Sequence, residues 1–298
     1  MITSNSGKIW LILACLVLIC RAEQVYAQAS DTLNRTRLNT FLIATGVTYT
    51  AALIALNKVW YSDYPRENFH FFNDSKEWKQ MDKIGHFYTA FHLIKASNNA
   101  FRWAGVSSKK SVLWGSLMGF ALMVPIEIMD GYSSEYGASG SDLAANFLGS
   151  GFFLGQSLLW NEVRIHPKYS FSESGIATYR PGVLGKNYSE KWLKDYNGQT
   201  YWLSFDLHAL AGAKPKWLNL ALGYGVNNMV NASGTSTPEF PYPSYRQYYL
   251  AVDFDLTYIK TKSTFLNTML FIVNMIHLPA PALEYNKMDK LIFHPIHF

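Results

Sequence analysis

The sequence holds only two cysteines, Cys15 and Cys20, and both fall near its start. Residues 28–298 contain none, which excludes disulfides, thiolate metal sites and a cysteine nucleophile there. Charged residues are also scarce, at 16%. The formal net charge of +5 is spread along the chain, without the basic block that nucleic-acid binding would need, so no nucleic-acid partner is expected. Catalytic signatures are missing as well: there is no HExxH, no GxSxG and no P-loop. No internal repeat is evident. Aromatic residues are abundant instead, at 16%, with 19 Phe and 19 Tyr. Amphipathic aromatics collect at membrane–water interfaces. A mean hydropathy near zero argues against a fully polytopic protein.

Residues 1–27 read as an export signal. Lys8 supplies the positive start, residues 9–20 are an apolar run, and Val25-Tyr26-Ala27 offers a cleavage site before Gln28. The run is short for a hydrocarbon core of ~30 Å. An uncleaved anchor is the alternative. Ile12-Leu13-Ala14-Cys15 matches a lipoprotein signal poorly, because few apolar residues precede it, and Cys20 after Ile19 fits worse.

The remainder changes period near residue 161. Residues 28–162 read as about four apolar helices, over roughly 40–56, 74–103, 111–129 and 141–160. The first is at the lower limit for a membrane span, and the third is the strongest span candidate, with Pro125 expected to kink or loosen its end. Lys109 and Lys110 before it read as an interface anchor. In the second helix, Ile84, Phe87, Tyr88, Phe91 and Ile94 form one stripe, with Asp82, His86 and Thr89 opposite. Gly115-x-x-x-Gly119 and Gly151-x-x-x-Gly155 are expected to let helices three and four approach closely, and Ser141 to cap the fourth. Residues 163–298 alternate apolar and polar over 201–210, 217–226 and 249–259. Shorter candidate strands lie at 164–171, 176–179 and 291–296, a long loop at 231–245 and a helix near 264–276. The expected fold is α+β: a helical bundle, then an antiparallel open sheet or partial barrel. The long aromatic strands resemble outer-membrane barrel strands, though six are fewer than the usual eight. The sheet's apolar face should pack on helices or lie on a membrane.

Three polar clusters interrupt the apolar helices: Asp82-Lys83-x-x-His86, Glu127-x-x-Asp130-Gly131, and Ser141-Asp142-x-x-x-Asn146-x-x-Gly149. Spacings of three and four put partners on one helix face. Unpaired carboxylates are costly in apolar surroundings. Convergence of Asp82, His86, Glu127, Asp130 and Asp142 would make a metal or general acid/base site, with Lys83, Gly131, Asn146 and Gly149 in supporting roles. The plainer reading is a polar network that fixes helix register. His92 lies about 240° from His86 around its helix and falls outside the cluster. His208 reads as solvent-exposed on a strand, and His294 and His297 as local packing at the end of the chain. No cofactor is signalled.

The order D-K-x-x-H-F, E-x-x-D-G, then S-D-x-x-x-N-x-x-G resembles the YfiM-type family of predicted periplasmic lipoproteins, over residues 78–160. It is similar, more distantly, to the VanZ-like membrane proteins. The first resemblance implies no settled activity. The second implies a link to glycopeptide resistance and action on envelope lipids or cell-wall precursors. The expectation is a membrane-associated cell-envelope protein, on the outer membrane or its periplasmic face. It would be a non-catalytic scaffold or partner-binding module that contacts membrane lipid or another envelope protein. The alternative is an enzyme working through the His/carboxylate cluster.

Overall fold

A computed structural model describes residues 32–298 except residue 63. The expected signal at residues 1–27, with Cys15 and Cys20, lies outside the described residues. The architecture is α+β, with helices first and a six-stranded antiparallel sheet after them. Helix α1 spans Arg35–Leu56, α2 Met81–Trp103, α3 Ser108–Gly131 and α4 Gly140–Trp160. The chain forms two compact units. The first takes the described residues up to Asn73, then Thr89–Asn161 and Ile259–Ile272. The second takes Asp74–Tyr88, Glu162–Tyr258 and Val273–Phe298. Helix α2 thus gives its first two turns to the second unit and the rest to the first.

In the first unit, α1 starts where Asn34 accepts a bond from the Arg37 amide at 2.9 Å. That satisfies one of the free amides at a helix start. Phe41 and Phe101 meet edge-on at 5.2 Å, and Phe91 meets Phe153 at 5.8 Å. Helix α3 continues through Pro125 to Gly131. Two expectations are corrected here. Helices α3 and α4 pack together as expected, but the Gly115/Gly119 face of α3 lies against α2. A Cβ at Gly115 would lie 2.8 Å from the Asn98 amide nitrogen, and one at Gly119 2.8 Å from that of Ile94. Gly151 and Gly155 meet nothing within 4 Å among the described residues. The cap of α4 is Ser139, not Ser141. Ser139 has the extended backbone a cap requires, and its Oγ accepts from the amides of Ser141 and Asp142.

The second unit is a meander of β1 (Ile165–Phe171), β2 (Gln199–Phe205), β3 (Leu218–Asn227), β4 (Tyr245–Phe254), β5 (Ala280–Asn286) and β6 (Lys290–His297), paired in sequence order. Short helices α5 (Pro181–Leu184), α6 (Tyr188–Lys194) and α7 (Leu207–Ala211) fall between strands; α8 (Thr264–Val273), which precedes β5, belongs to the first unit up to Ile272. Several expected strands are corrected. β2 stops at Phe205 because Asp206 turns to cap α7, accepting from the Ala209 amide at 2.8 Å. His208 is therefore helical, with Nδ1 3.1 Å from the Ala213 carbonyl. Residues 176–179 form a 3-10 turn. β4 begins at Tyr245 and ends before Asp255, whose carboxylate accepts from Thr257 N and starts another turn. β5 lies where no strand is expected, since Pro281 discourages one; this proline sits where the β5–β6 register shifts, a place that tolerates it.

The sheet is polar inside and apolar outside. Leu203, Leu222, Leu250, Leu283 and Phe293 are cross-strand neighbours in one continuous row, and Tyr201, Tyr224, Tyr248, Tyr285 and Leu291 form the next. From β3 to β6 the Leu/Phe row is exposed, with Leu222 at 50% and Phe293 at 64%. The start of α2 covers part of this face: Met81 packs with Val226 and Met229, and Tyr88 stands 5.8 Å from Tyr201. The opposite face buries Ser204, Asn219, Gln247, Asp253 and Glu284 beside Trp202 and Tyr249. It is also strongly curled. Trp202 on β2 and His297 on β6 lie four strand spacings apart, ~19 Å in a flat sheet, yet their ring centroids are 5.8 Å apart. Gly223 makes room on this concave side, because a Cβ there would meet the Trp202 ring at 2.6 Å.

Candidate functional site

The expected site residues divide between the two units. Asp82, Lys83 and His86 belong to the second. They lie in the first turns of α2, where the helix dipole favours a carboxylate. Lys83 Nζ bridges Asp82 at 3.0 Å and also binds Asp74. Tyr196 donates its hydroxyl to Asp82 at 3.0 Å, and His86 Nε2 lies 3.9 Å from the same carboxylate. Burial opposes the charge on Asp82, but His86, Lys83 and Tyr196 outweigh it and hold the carboxyl below its ordinary value. Just before these residues, Trp78, Lys79 and Gln80 all take positive φ, at 47°, 48° and 67°. Such conformations cost on the order of 1–3 kcal/mol each and need support. The Trp78 amide donates to the Ala232 carbonyl at 2.7 Å, Tyr224 donates to the Lys79 carbonyl at 2.5 Å, and Arg246 donates to Gln80 Oε1 at 2.7 Å.

Glu127, Asp130, Gly131, Asp142, Asn146 and Gly149 belong to the first unit. Glu127, Asp142 and Asn146 are buried. Ser139 ties two of them together: its amide donates to Glu127 Oε2 at 3.3 Å, and its hydroxyl accepts from the Asp142 amide at 3.1 Å. The end of α3 is thereby fastened to the start of α4. Asp130 is placed differently and accepts from the Tyr61 hydroxyl at 2.8 Å. Gly131 gives space to the Phe69 ring, which a Cβ would meet at 2.3 Å. Through Ser139, Glu127 and Asp142 are held in one fixed geometry. The Asp82 group sets a lysine ammonium against a carboxylate, with an imidazole 3.9 Å away.

Other polar groups were hidden from the sequence. Lys168 on β1 and Asp253 on β4 form a fully buried pair at 2.7 Å, and His277 stacks on Trp202 at 3.9 Å. His294 pairs with Glu284 at 2.7 Å, and His297 stacks on Tyr249 at 4.4 Å. Alternation puts Lys168 and Asp253 on the polar face. They are hidden by the usual assumption that a polar face meets water.

No curated protein and no solved structure matches the chain. A family model does. Its description as a periplasmic lipoprotein accords with an exported chain of the cell envelope. All three polar motifs fall inside the match. Residues 69–157 match the family described as Predicted periplasmic lipoprotein (DUF2279), the YfiM-type family that those motifs resemble.

Proposed function

We infer that this chain is a membrane-associated protein of the cell envelope with a non-catalytic, scaffolding or partner-binding role, and that the outer face of its sheet contacts lipid. The observation that carries this reading is the polarity of the sheet. Transmembrane barrels turn apolar residues outward and polar residues inward, with aromatics at the interfaces. Here a Leu/Phe row lies outside beside a row of tyrosines, while ions and amides lie inside. Moving a Leu or Phe side chain out of water contributes about 1.5–3 kcal/mol, so several half-exposed ones favour an apolar environment by several kcal/mol. Helices α1 and α3 are also long and apolar enough to cross a membrane by length and composition. The outer membrane is the membrane proposed, because the sheet shares the barrel's polarity. The test is flotation of the purified full chain with vesicles of phosphatidylethanolamine and phosphatidylglycerol. The wild type should float, and Leu222→Lys with Leu250→Lys should float less. A wild type that stays unbound without detergent, or a double variant that floats equally well, contradicts the reading.

A second reading is favoured by the strained turn beside Asp82. In it, Asp82 and His86 act on an envelope lipid or cell-wall precursor. His86→Ala should then abolish the cellular phenotype at normal folded yield. Loss of folding alone would sink it.

A further inference from the structure

The concave face of the sheet gathers three ionisable residues at one end. His166 is the second residue of β1 and shares its face with Lys168 and Ser170. Asp206 follows β2 in phase with Trp202 and Ser204. Asp255 follows β4 in phase with Ala251 and Asp253. The Asp206 amide still donates to the Arg164 carbonyl at 2.9 Å, and the Asp255 amide to the Trp217 carbonyl at 2.9 Å, so backbone bonding reaches both residues just past the strand ends. In a flat sheet β1 and β4 are separated by three strand spacings, ~14 Å. The curl closes that gap.

We propose that His166, Asp206 and Asp255 form a binding site for a divalent metal ion of the zinc or manganese class. One ligand atom from each lies within 4.8 Å of the other two. His166 Nε2 and Asp255 Oδ2 are 3.7 Å apart. That is too long for a hydrogen bond, but close to the spacing of two ligands that share an ion at ~2.0–2.2 Å. All three side chains are more than nine-tenths buried: His166 is 6% exposed, Asp206 4% and Asp255 2%. Two carboxylates that close in such surroundings repel each other, and a bound cation relieves the repulsion. An imidazole with two carboxylates suits a borderline cation and leaves a position for water or a ligand oxygen.

The surroundings also orient the ligands. Asp255 Oδ1 accepts from the Thr257 amide at 2.8 Å, which leaves Oδ2 toward His166. Asp206 Oδ1 accepts from the Ala209 amide at 2.8 Å, and Oδ2 from the Tyr258 hydroxyl at 2.9 Å. Fixed outer partners of this kind set ligand direction at metal sites. Tyr258 is thus a positioning residue.

The experiment uses the full chain in detergent, stripped with EDTA. Zn2+ and Mn2+ are titrated separately by calorimetry, with thermal unfolding as a second readout. One ion per chain should bind and raise the unfolding temperature. Tyr258→Phe should weaken binding by about 10–100-fold. Asp255→Asn should abolish it with an unchanged far-ultraviolet circular dichroism spectrum. Should Asp255→Asn not fold, Co2+ added to the wild type decides: d–d absorption of a nitrogen- and oxygen-ligated ion, weakened in Tyr258→Phe, supports the site. Absence of binding by the wild type overturns the proposal. So does binding that neither variant alters.

Discussion

Burial raises the pKa of Asp82, yet His86, Lys83 and Tyr196 together hold it below the ordinary 3.8. A depressed folded pKa stabilises the fold above the unfolded value, and that contribution is lost as pH falls through the folded one. The stability difference between wild type and Asp82→Asn should therefore shrink as pH falls below about pH 4. Denaturant midpoints measured across pH check this, and shrinkage between pH 8 and 6 would contradict it. Ser139→Ala should cost about 1 kcal/mol through the lost cap, and Ser141→Ala distinctly less. The Asp82–Lys83–His86 group was legible because its members are neighbours along one helix. Tyr196 was not, being 114 residues from Asp82. The choice between Ser139 and Ser141 turns on backbone angles that the Ser-Gly-Ser sequence leaves open.

Among the elements, the two glycine motifs have opposite fates. Gly119 lies against the α2 backbone, so Gly119→Ala should cost about 1–3 kcal/mol by forcing helices apart. Gly151 faces open space in mid-helix, so Gly151→Ala should gain up to about 1 kcal/mol from helix propensity. Thermal unfolding of the full chain separates the two, and similar effects at both positions would refute the packing described. The motifs themselves were legible, but the partner helix was not. Spacing marks a face without saying what meets it. The strands show the same limit. Period two is identical whether the apolar side meets a core or a lipid, so alternation revealed strands and left their inner side undetermined. Where a polar side chain such as Asp206 or Asp255 turns the chain, the alternation ran past the true strand end.

At the scale of the whole chain, the α+β architecture and the change of character after the helices were readable from hydropathy period. The curl of the sheet was not, because it arises from strands far apart in sequence. It brings Lys168 to Asp253, Trp202 to His297 and His166 to Asp255. It also makes the polar face an interior and leaves the Leu/Phe row as the outer surface. Because residues 28–298 contain no cysteine, one introduced at a time provides a single labelling position there. The most direct measurement is a fluorophore scan at Tyr248, Tyr249, Leu250 and Ala251 of β4, and at Leu283 of β5, in vesicles carrying brominated lipid. The account predicts strong quenching at 248, 250 and 283 and little at 249 and 251. Quenching absent at 248, 250 and 283 in folded protein, or displaced to 249 and 251, would contradict it.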